Sequence, residues 1–592
     1  MAQRSISRVL YVDLTQRQSH VAERPDLFQE SLGGAGVAIR LLEEECRQGI
    51  DPLGPDNPII FAVGPLTGLF PLASKTVAMF KSPLTGNLGE SHAGGRSAVS
   101  LRLAGYGAMV IKGASESPVY LAIHGDKVHF RDASGLWGVS SSFTVGRVIR
   151  EREPGSGERT MLRIGRAGEQ LVRYACVITE TYRHFGRLGL GAVFGSKKLK
   201  AIVVSGNETL HVPNAKLYRE AYDDIFKAAV DSPVMQKYHE IGTSENVEPL
   251  YRIGGMPVMN LKKAQLEQAG QISGEQFAQD YLGRRIACAH CPIACIHLAA
   301  LRQPYEKEPY FYKTSMIAYD YEPIYALGSM LGVTDPKGVL MLMDEVERLG
   351  LDSISTGVVL AWATEALEKG LISHDDVAGA EIKWGDHAAY KRATQLIVDQ
   401  PNDFYRALAQ GVEHASSVYG GADFAMAFGG NEMAGYHTGP AAYAGYLMGA
   451  RHSHLDNAGY SLDQKSIAKT TPSTSSEIAD ALVLEEEWRQ ILSSAVVCYF
   501  ARGIYTPERM MDALSAAGYD VSPDMLQQIG ATTLGRKYAF KCREGFNRKN
   551  LRIPKRIFET PSPLGMISES QVRETVERMH KKLRPLSRGK TP

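Results

Sequence analysis

The chain has almost no excess charge. Lys and Arg number 66 and Asp and Glu 65, a formal net charge of +1 over 592 residues. Nucleic-acid binders neutralise phosphates with surplus basic side chains; none exist here, so that class is excluded. Long hydrophobic runs are missing as well. No segment reaches the roughly 18 uninterrupted apolar residues that a membrane span needs. The opening MAQRSISRVLYVDLTQ has too short an apolar run for a secretory signal. No membrane insertion is therefore expected, and the cytoplasm is the expected compartment. Cysteine is scarce: seven residues in so long a chain do not make a disulfide scaffold. Repeats and low-complexity tracts are absent. What remains, 44% hydrophobic and 22% charged, is the composition of an ordinary soluble globular protein. Its length calls for about two to four domains rather than one core.

Residues 1–208 read as β-rich. RVLYVDL and SHVAE suggest a hairpin; NPIIFAVG, GAMVIKG and KAIVVSG suggest further strands; VYLAIHGDKVHF suggests two strands joined at a Gly-Asp turn. Between them lie glycine-rich segments read as loops: SLGGAG, GPLTG, KSPLTGN and ESHAGG. From about residue 209 apolar residues recur three and four apart, as in KGVLMLMDEVERLG, GVVLAWATEALEKG and EIADALVLEEEWRQILSSAVVCYFARG, which predicts helices. A glycine follows or ends the first two runs, as at many helix C-termini. Boundaries are expected near 208 and 415. A doubly wound nucleotide-binding sheet would require a strand–helix alternation that the sequence lacks.

The cysteines are unevenly placed. Cys46, Cys176 and Cys542 are scattered, Cys498 lies alone in an apolar stretch, and Cys288, Cys291 and Cys295 share the segment CAHCPIAC. Three soft ligands so close can surround one iron–sulfur cluster, with a fourth from elsewhere in the chain. Structural zinc also takes four cysteines, usually as two CxxC pairs, and no second pair exists. Cys498 is the favoured fourth ligand; as a core cysteine it would have no such role. GLGAVFGSKKLK invites a phosphate-loop reading but ends Gly-Ser-Lys where a Walker loop needs Gly-Lys-Ser/Thr. Its glycines and Arg187 still suit a phosphate-bearing ligand. Glu322 and His454 are candidate proton-transfer groups, though each read singly is more often a solvated charge or a hydrogen-bonded core residue, and no spacing joins them.

Several segments together resemble the aldehyde ferredoxin oxidoreductase family of tungsten bis-pterin enzymes. They are SLGGAGVAIRLL, GPLTG, KSPLTGN, ESHAGG, IGRAGEQLVRYACV, GRLGLGAVFGSKKLKAIVV, CAHCPIAC, YEPIYALGSMLGV, RLGLDSISTGVVLAW and CREGFNRKNLRIPKR, in order and almost end to end. The resemblance implies an α+β protein: a β-rich pterin-base domain (1–208) followed by two mostly helical domains (209–415 and 416–592). By position, Lys75, His92, Gly94, Arg187, Leu188 and Gly189 would meet the pterin phosphates and their bridging Mg2+. Glu347, Leu351, Asp352, His454, Asp456, Ser493 and Val497 would line the pterin rings. Cys288, Cys291, Cys295 and Cys498 would bind one 4Fe-4S cluster, with Cys498 also touching a pterin. Glu322 and His454 would face the metal as an acid–base pair. Tungsten and molybdenum accept the same dithiolene sulfurs, so either metal is implied.

The implied reaction oxidises an aldehyde to a carboxylic acid, or the reverse. Its two electrons would leave singly through the cluster to a ferredoxin-like iron–sulfur protein, and an oligomer is expected. This chain departs from the family pattern at several places. His92 stands where Asn is typical, Asp456 replaces a Lys and reverses its charge, and SSAVVC keeps only the cysteine of the second DxxGL(C/D) motif. Two other functions fit the same scaffold. One is the metal subunit of a tungsten-dependent aromatic acyl-CoA reductase; a cysteine thiolate on its metal would be hard to supply, since none lies between Cys295 and Cys498. The other is a non-catalytic electron-relay subunit, against which the retained phosphate-side residues speak.

Overall fold

Twelve strands in two six-stranded sheets occupy the first third of the chain. The computed structural model describes residues 6–155, 157–180, 182–305, 308–468 and 472–587. The first sheet holds β1 (Arg8–Asp13), β2 (Gln18–Glu23), β3 (Ile59–Ala62), β4 (Thr76–Lys81), β5 (Leu88–Ala93) and β6 (Ala108–Lys112), in the order β2-β1-β6-β3-β4-β5. The second holds β7 (Val119–His124), β8 (Lys127–Asp132), β9 (Thr160–Arg163), β10 (Val177–Ile178), β11 (His184–Phe185) and β12 (Leu199–Ser205), ordered β11-β10-β9-β12-β7-β8. Among the described residues only β1–β6 and β12–β7 pair in parallel in these two sheets. The expected hairpins at β1–β2 and β7–β8 form, the latter turning at Gly125-Asp126.

One strand, β5, occupies a segment read as a loop, and β4 lies in a stretch to which the sequence assigns no element. In β4 all six residues are buried, so no alternation marks it, and the proline and glycine of KSPLTGN make the turn into β5. ESHAGG is accordingly strand as far as Ala93, which fixes His92 in a sheet.

The rest is mostly helical. The helices expected from periodicity span Pro336–Leu349, Ser353–Glu368 and Ser475–Ser494. Ser353–Glu368 is buried on nearly every side, Trp362 included, so it is a central core helix rather than a one-faced surface one. Asp352 caps it, accepting the Ile354 N–H at 3.0 Å. A third antiparallel sheet, not anticipated, lies within this part: β13 (Leu282–Ile286), β14 (Ile296–Tyr305) and β15 (Glu308–Tyr319). Ile286 pairs with Ile296, so CAHCPIAC is a loop clamped at both ends by a strand pair.

Helix Gly34–Glu45 joins the two parts, packing on β3, β4 and helix Ser475–Ser494. Gly34 has φ +40°, and a Cβ there would stand 2.1 Å from the Ser493 carbonyl oxygen. Only glycine lets the SLGGAG loop close on that helix end, four residues before Cys498.

Candidate active site

The four candidate cysteines line one cavity of about 120 Å³, although Cys498 is distant from the other three in sequence. Cys498 arrives because its N–H donates to the Leu72 carbonyl at 2.9 Å, directly after the helix that Gly34 clasps. His290 and Ala294, inside the cysteine loop, have φ of 56° and 53°. Non-glycine residues are uncommon in that region, and such strain concentrates at functional sites. Among the described residues no three His, Cys, Asp or Glu side chains close in tightly enough to hold a single ion. Burial pushes the Cys291 and Cys295 thiols up to about 12.

Two cations share the cavity. Lys75 and Arg183 both line it, and a Cβ on Gly94 would lie 2.8 Å from the Cys288 sulfur and 3.2 Å from the Lys75 Nζ. Burial works against the Lys75 charge, but the sulfurs of Cys498, Cys288 and Cys295 outweigh it and raise the ammonium above the usual lysine range. The Arg183 Nη1 donates to Asp320 Oδ2 at 2.7 Å.

Asp320 also faces a second cavity, of about 110 Å³, lined by Glu347, Leu351, Asp352 and Cys176. Arg187 is tied to this cavity through Asp352. Its Nε donates to Asp352 Oδ2 at 3.1 Å and its Nη2 to the Glu432 carbonyl at 2.8 Å. Its Nη1 is buried and finds no hydrogen-bond partner among the described residues. A buried, unmatched cationic N–H is costly, and an anionic oxygen would satisfy it. Leu188 is buried with φ 70°, its carbonyl taken by the Ser82 hydroxyl at 2.8 Å; Gly189 follows, opening helix Leu190–Ser196. Glu347 pairs with His184 at 2.6 Å. The lysines of GSKKLK do not join this cradle. Lys197 is buried against the carbonyls of Pro55 (2.8 Å) and Gly113 (3.1 Å), and Lys200 pairs with Glu169.

His92 and Asp456 belong to a buried charged cluster that Ser493 joins through Tyr499, which packs on His92 and lies under Arg451. His92 Nε2 lies 2.7 Å from Glu90, whose other oxygen pairs with Lys537 at 2.6 Å. Burial moves the imidazole down to about 4, so His92 is neutral at physiological pH. Asp456 accepts from Arg451 Nε at 2.6 Å and from the backbone N–H groups of Arg451 and Ser453 at 2.8 and 3.0 Å. Its reversed charge is thus paired within the protein, and Arg451 supplies the cation. Ser493 Oγ lies 2.5 Å from the Tyr499 hydroxyl, over whose ring Arg489 is stacked; Val497 is buried, its N–H donating to the Leu492 carbonyl at 2.8 Å.

Glu322 and His454, remote in sequence, face one another at 3.1 Å. Glu322 stands in the first turn of helix Tyr321–Leu327 and lines the cysteine cavity. The Tyr436 hydroxyl donates to it at 2.9 Å. Burial alone would raise the Glu322 carboxyl, but His454 and the Tyr436 hydroxyl outweigh it and hold it below the usual range. His454 Nδ1 is buried and finds no partner among the described residues. Tyr436 packs on Tyr460 at 4.1 Å and on His454 at 5.2 Å between ring centroids. Arg183, Asp320, Tyr436 and Arg451 are the site residues that sequence reading missed. Arg183, Asp320 and Tyr436 act through partners more than 100 positions away, which no local motif marks, and Arg451 pairs with Asp456 five residues on without a recognisable spacing.

Comparison with known proteins agrees with this architecture. Residues 9–206 match the N-terminal domain of aldehyde ferredoxin oxidoreductase, and residues 220–584 match its domains 2 and 3. The tungsten-containing aldehyde ferredoxin oxidoreductase of Thermococcus kodakarensis is 32% identical, covering 94% of this chain and 92% of that protein. The Pyrococcus furiosus protein of the same name is 31% identical over the same shares. An aliphatic sulfonate oxidoreductase, WOR-like subunit, of P. furiosus is 32% identical over 69% of this chain and 66% of its own length. Among solved structures, the active site complex BamBC of benzoyl coenzyme A reductase with 1,5-dienoyl-CoA superposes with a TM-score of 0.81. It covers 98% of this chain and 95% of that one at 22% identity, which is likeness of fold. No helix among the described residues is long and apolar enough to cross a membrane. The chain belongs to the aldehyde ferredoxin oxidoreductase family.

Proposed function

We propose that this chain oxidises aldehydes to carboxylic acids, using a tungsten (or molybdenum) bis-pterin and one 4Fe-4S cluster, and hands electrons to a separate ferredoxin-like protein. The observation that carries the reading is the shared cavity: four cysteines and the ionised Glu322 open onto the same space. A structural zinc would need its thiolates crowded about 2.3 Å from one ion. Thiolates ringing a cavity suit a multi-atom cluster better.

Cys288, Cys291, Cys295 and Cys498 would hold the cluster. Lys75, Gly94, Arg187, Leu188 and Gly189 would hold the pterin phosphates, the unmatched Arg187 Nη1 giving an anionic oxygen its donor. His92, neutral, would sit at the Mg2+-bridged phosphates. Glu347, Leu351, Asp352, Ser493 and Val497 would border the pterins, with Asp456 acting through Arg451. When bound, the bis-pterin metal supplies two-electron redox chemistry, and the cluster carries one electron at a time. Glu322 takes the proton from attacking water or from the substrate carbon at its Oε atoms. Tyr436 keeps it ionised, and His454 orients it and can donate toward the carbonyl oxygen. In this reading residues 1–208 form the base, and 209–415 and 416–592 close over it.

Metal analysis of purified protein tests the proposal, with about one tungsten or molybdenum per four irons expected, alongside aldehyde-dependent reduction of a dye. Iron without a group-six metal, and no dye reduction, would leave an electron-relay subunit instead.

A further inference from the structure

Arg183 is a half-buried cation against the cysteine cavity that the pterin and cluster assignments do not use. A Cβ on Gly94 would lie 3.9 Å from its Cγ and 2.8 Å from the Cys288 sulfur, so arginine and thiol flank the same glycine. Its guanidinium is tied to Asp320, 137 positions away, at 2.7 Å. Asp320 opens helix Tyr321–Leu327 at the N-cap, where Asp ordinarily accepts a backbone N–H; here its side chain makes no cap bond. One oxygen goes to Arg183, and the Thr243 hydroxyl donates to the other at 3.1 Å. The carboxylate has been turned from its helix to the arginine. Asp320 lines both cavities and sits two residues before Glu322.

We propose that Arg183, partly neutralised by Asp320, sets the reduction potential of the group held by the four cysteines. The inference rests on the reading of those cysteines as cluster ligands. Each reduction adds one electron, and one negative charge, to the cluster. A cation beside its sulfurs stabilises the reduced form and raises the potential, and a carboxylate on that cation opposes the effect. Lys75 supplies a second positive charge to the cavity, whose lining carboxylates are Asp320 and Glu322. Thr243 pins the carboxylate, so the balance of charge is fixed by geometry.

The test is a redox titration of the holoenzyme followed by the low-temperature EPR signal of the reduced cluster, with iron counted in every sample. Arg183→Gln keeps hydrogen-bonding capacity and removes the charge; its midpoint should move to more negative potential. Asp320→Asn keeps shape and frees the arginine; its midpoint should move to more positive potential. Arg183→Lys should stay near wild type. Loss of packing alone would not shift the two variants in opposite directions. Unchanged midpoints, or shifts of one sign in both variants at full iron content, overturn the proposal. If Arg183→Gln loses iron, Asp320→Asn decides, and an unshifted or lowered midpoint there overturns it. A wild-type protein with no cluster signal and no iron would instead remove the cluster reading itself.

Discussion

Glu322 shows how one carboxylate can be both buried and charged. Desolvation favours its neutral form, yet His454 at 3.1 Å and the Tyr436 hydroxyl at 2.9 Å hold it ionised. A base must be deprotonated to act, so activity should survive to pH values below the usual carboxylate range before falling. Tyr436→Phe removes one of the two bonds, so the acid limb of kcat/KM should move to higher pH. An unmoved limb would mean that Glu322 is not the group titrating. Glu322→Gln keeps the shape and abolishes the base; turnover should drop about 10²–10⁴-fold, with iron, pterin and group-six metal unchanged. Activity within about threefold of wild type, far outside that acid–base range, would remove Glu322 from the mechanism. The cysteines permit an equally local test. Cys291→Ala and Cys498→Ala should lose iron, whereas the exposed Cys542, on helix Pro523–Arg543, should be replaceable without loss. Iron loss in Cys542→Ala would mean that Cys498 is the wrong fourth ligand.

Elements were legible where their burial is one-sided or their turns are marked. The β1–β2 and β7–β8 hairpins and the long helices show it. What stayed hidden was β4 and β5, buried on both faces, and the β13–β15 sheet, whose long strands carry exposed aromatics and charges with little alternation. The cysteine motif was plain in the sequence, but the clamp that holds it was not. The pairing of Glu322 with His454 could be named only through the resemblance, since no spacing connects them; Arg183 and Asp320 lacked even that. Charge pairs between elements were equally invisible. Glu90 on β5 and Lys537 on helix Pro523–Arg543, 2.6 Å apart and both buried, tie sheet to helix. Burial opposes the Glu90 charge, but Lys537, Arg451 and His92 hold the carboxyl well below its usual range. Its folded pKa is depressed, so this stabilisation is present above the ordinary carboxylate pKa of about 4.3. It is lost as pH falls below that value. Glu90→Gln leaves Lys537 buried with a neutral partner. Breaking such a pair costs about 3–5 kcal/mol, which should appear as a lower unfolding midpoint at neutral pH that narrows toward wild type in acid. An equal deficit at both pH values would show that the loss is one of packing rather than charge.

At the scale of the whole molecule, the parts of the chain meet where the proposed cofactor would lie. Arg187, from the β-rich part, reaches Asp352 at the head of the central helix and the Glu432 carbonyl beyond it, and one N–H remains unmatched. Cys498 is carried to the other three cysteines by a helix end that rests on Gly34. A ligand bound in such a seam stabilises the folded chain by binding it and not the unfolded one; at about 100 times its Kd the gain is about 2.7 kcal/mol. A cofactor retained through purification adds at least that, so protein produced without tungstate or molybdate should unfold at clearly lower temperature than the loaded form. Arg187→Ala separates cofactor binding from scaffold. If Arg187 Nη1 serves an anionic oxygen of the cofactor, the variant should lose bound pterin and metal together, and its loaded form should fall toward the cofactor-free wild type. The cofactor-free variant should change little, because there the arginine keeps one unmatched buried N–H that Ala removes. Equal losses of unfolding temperature in both forms, with metal content intact, would assign Arg187 to the scaffold alone.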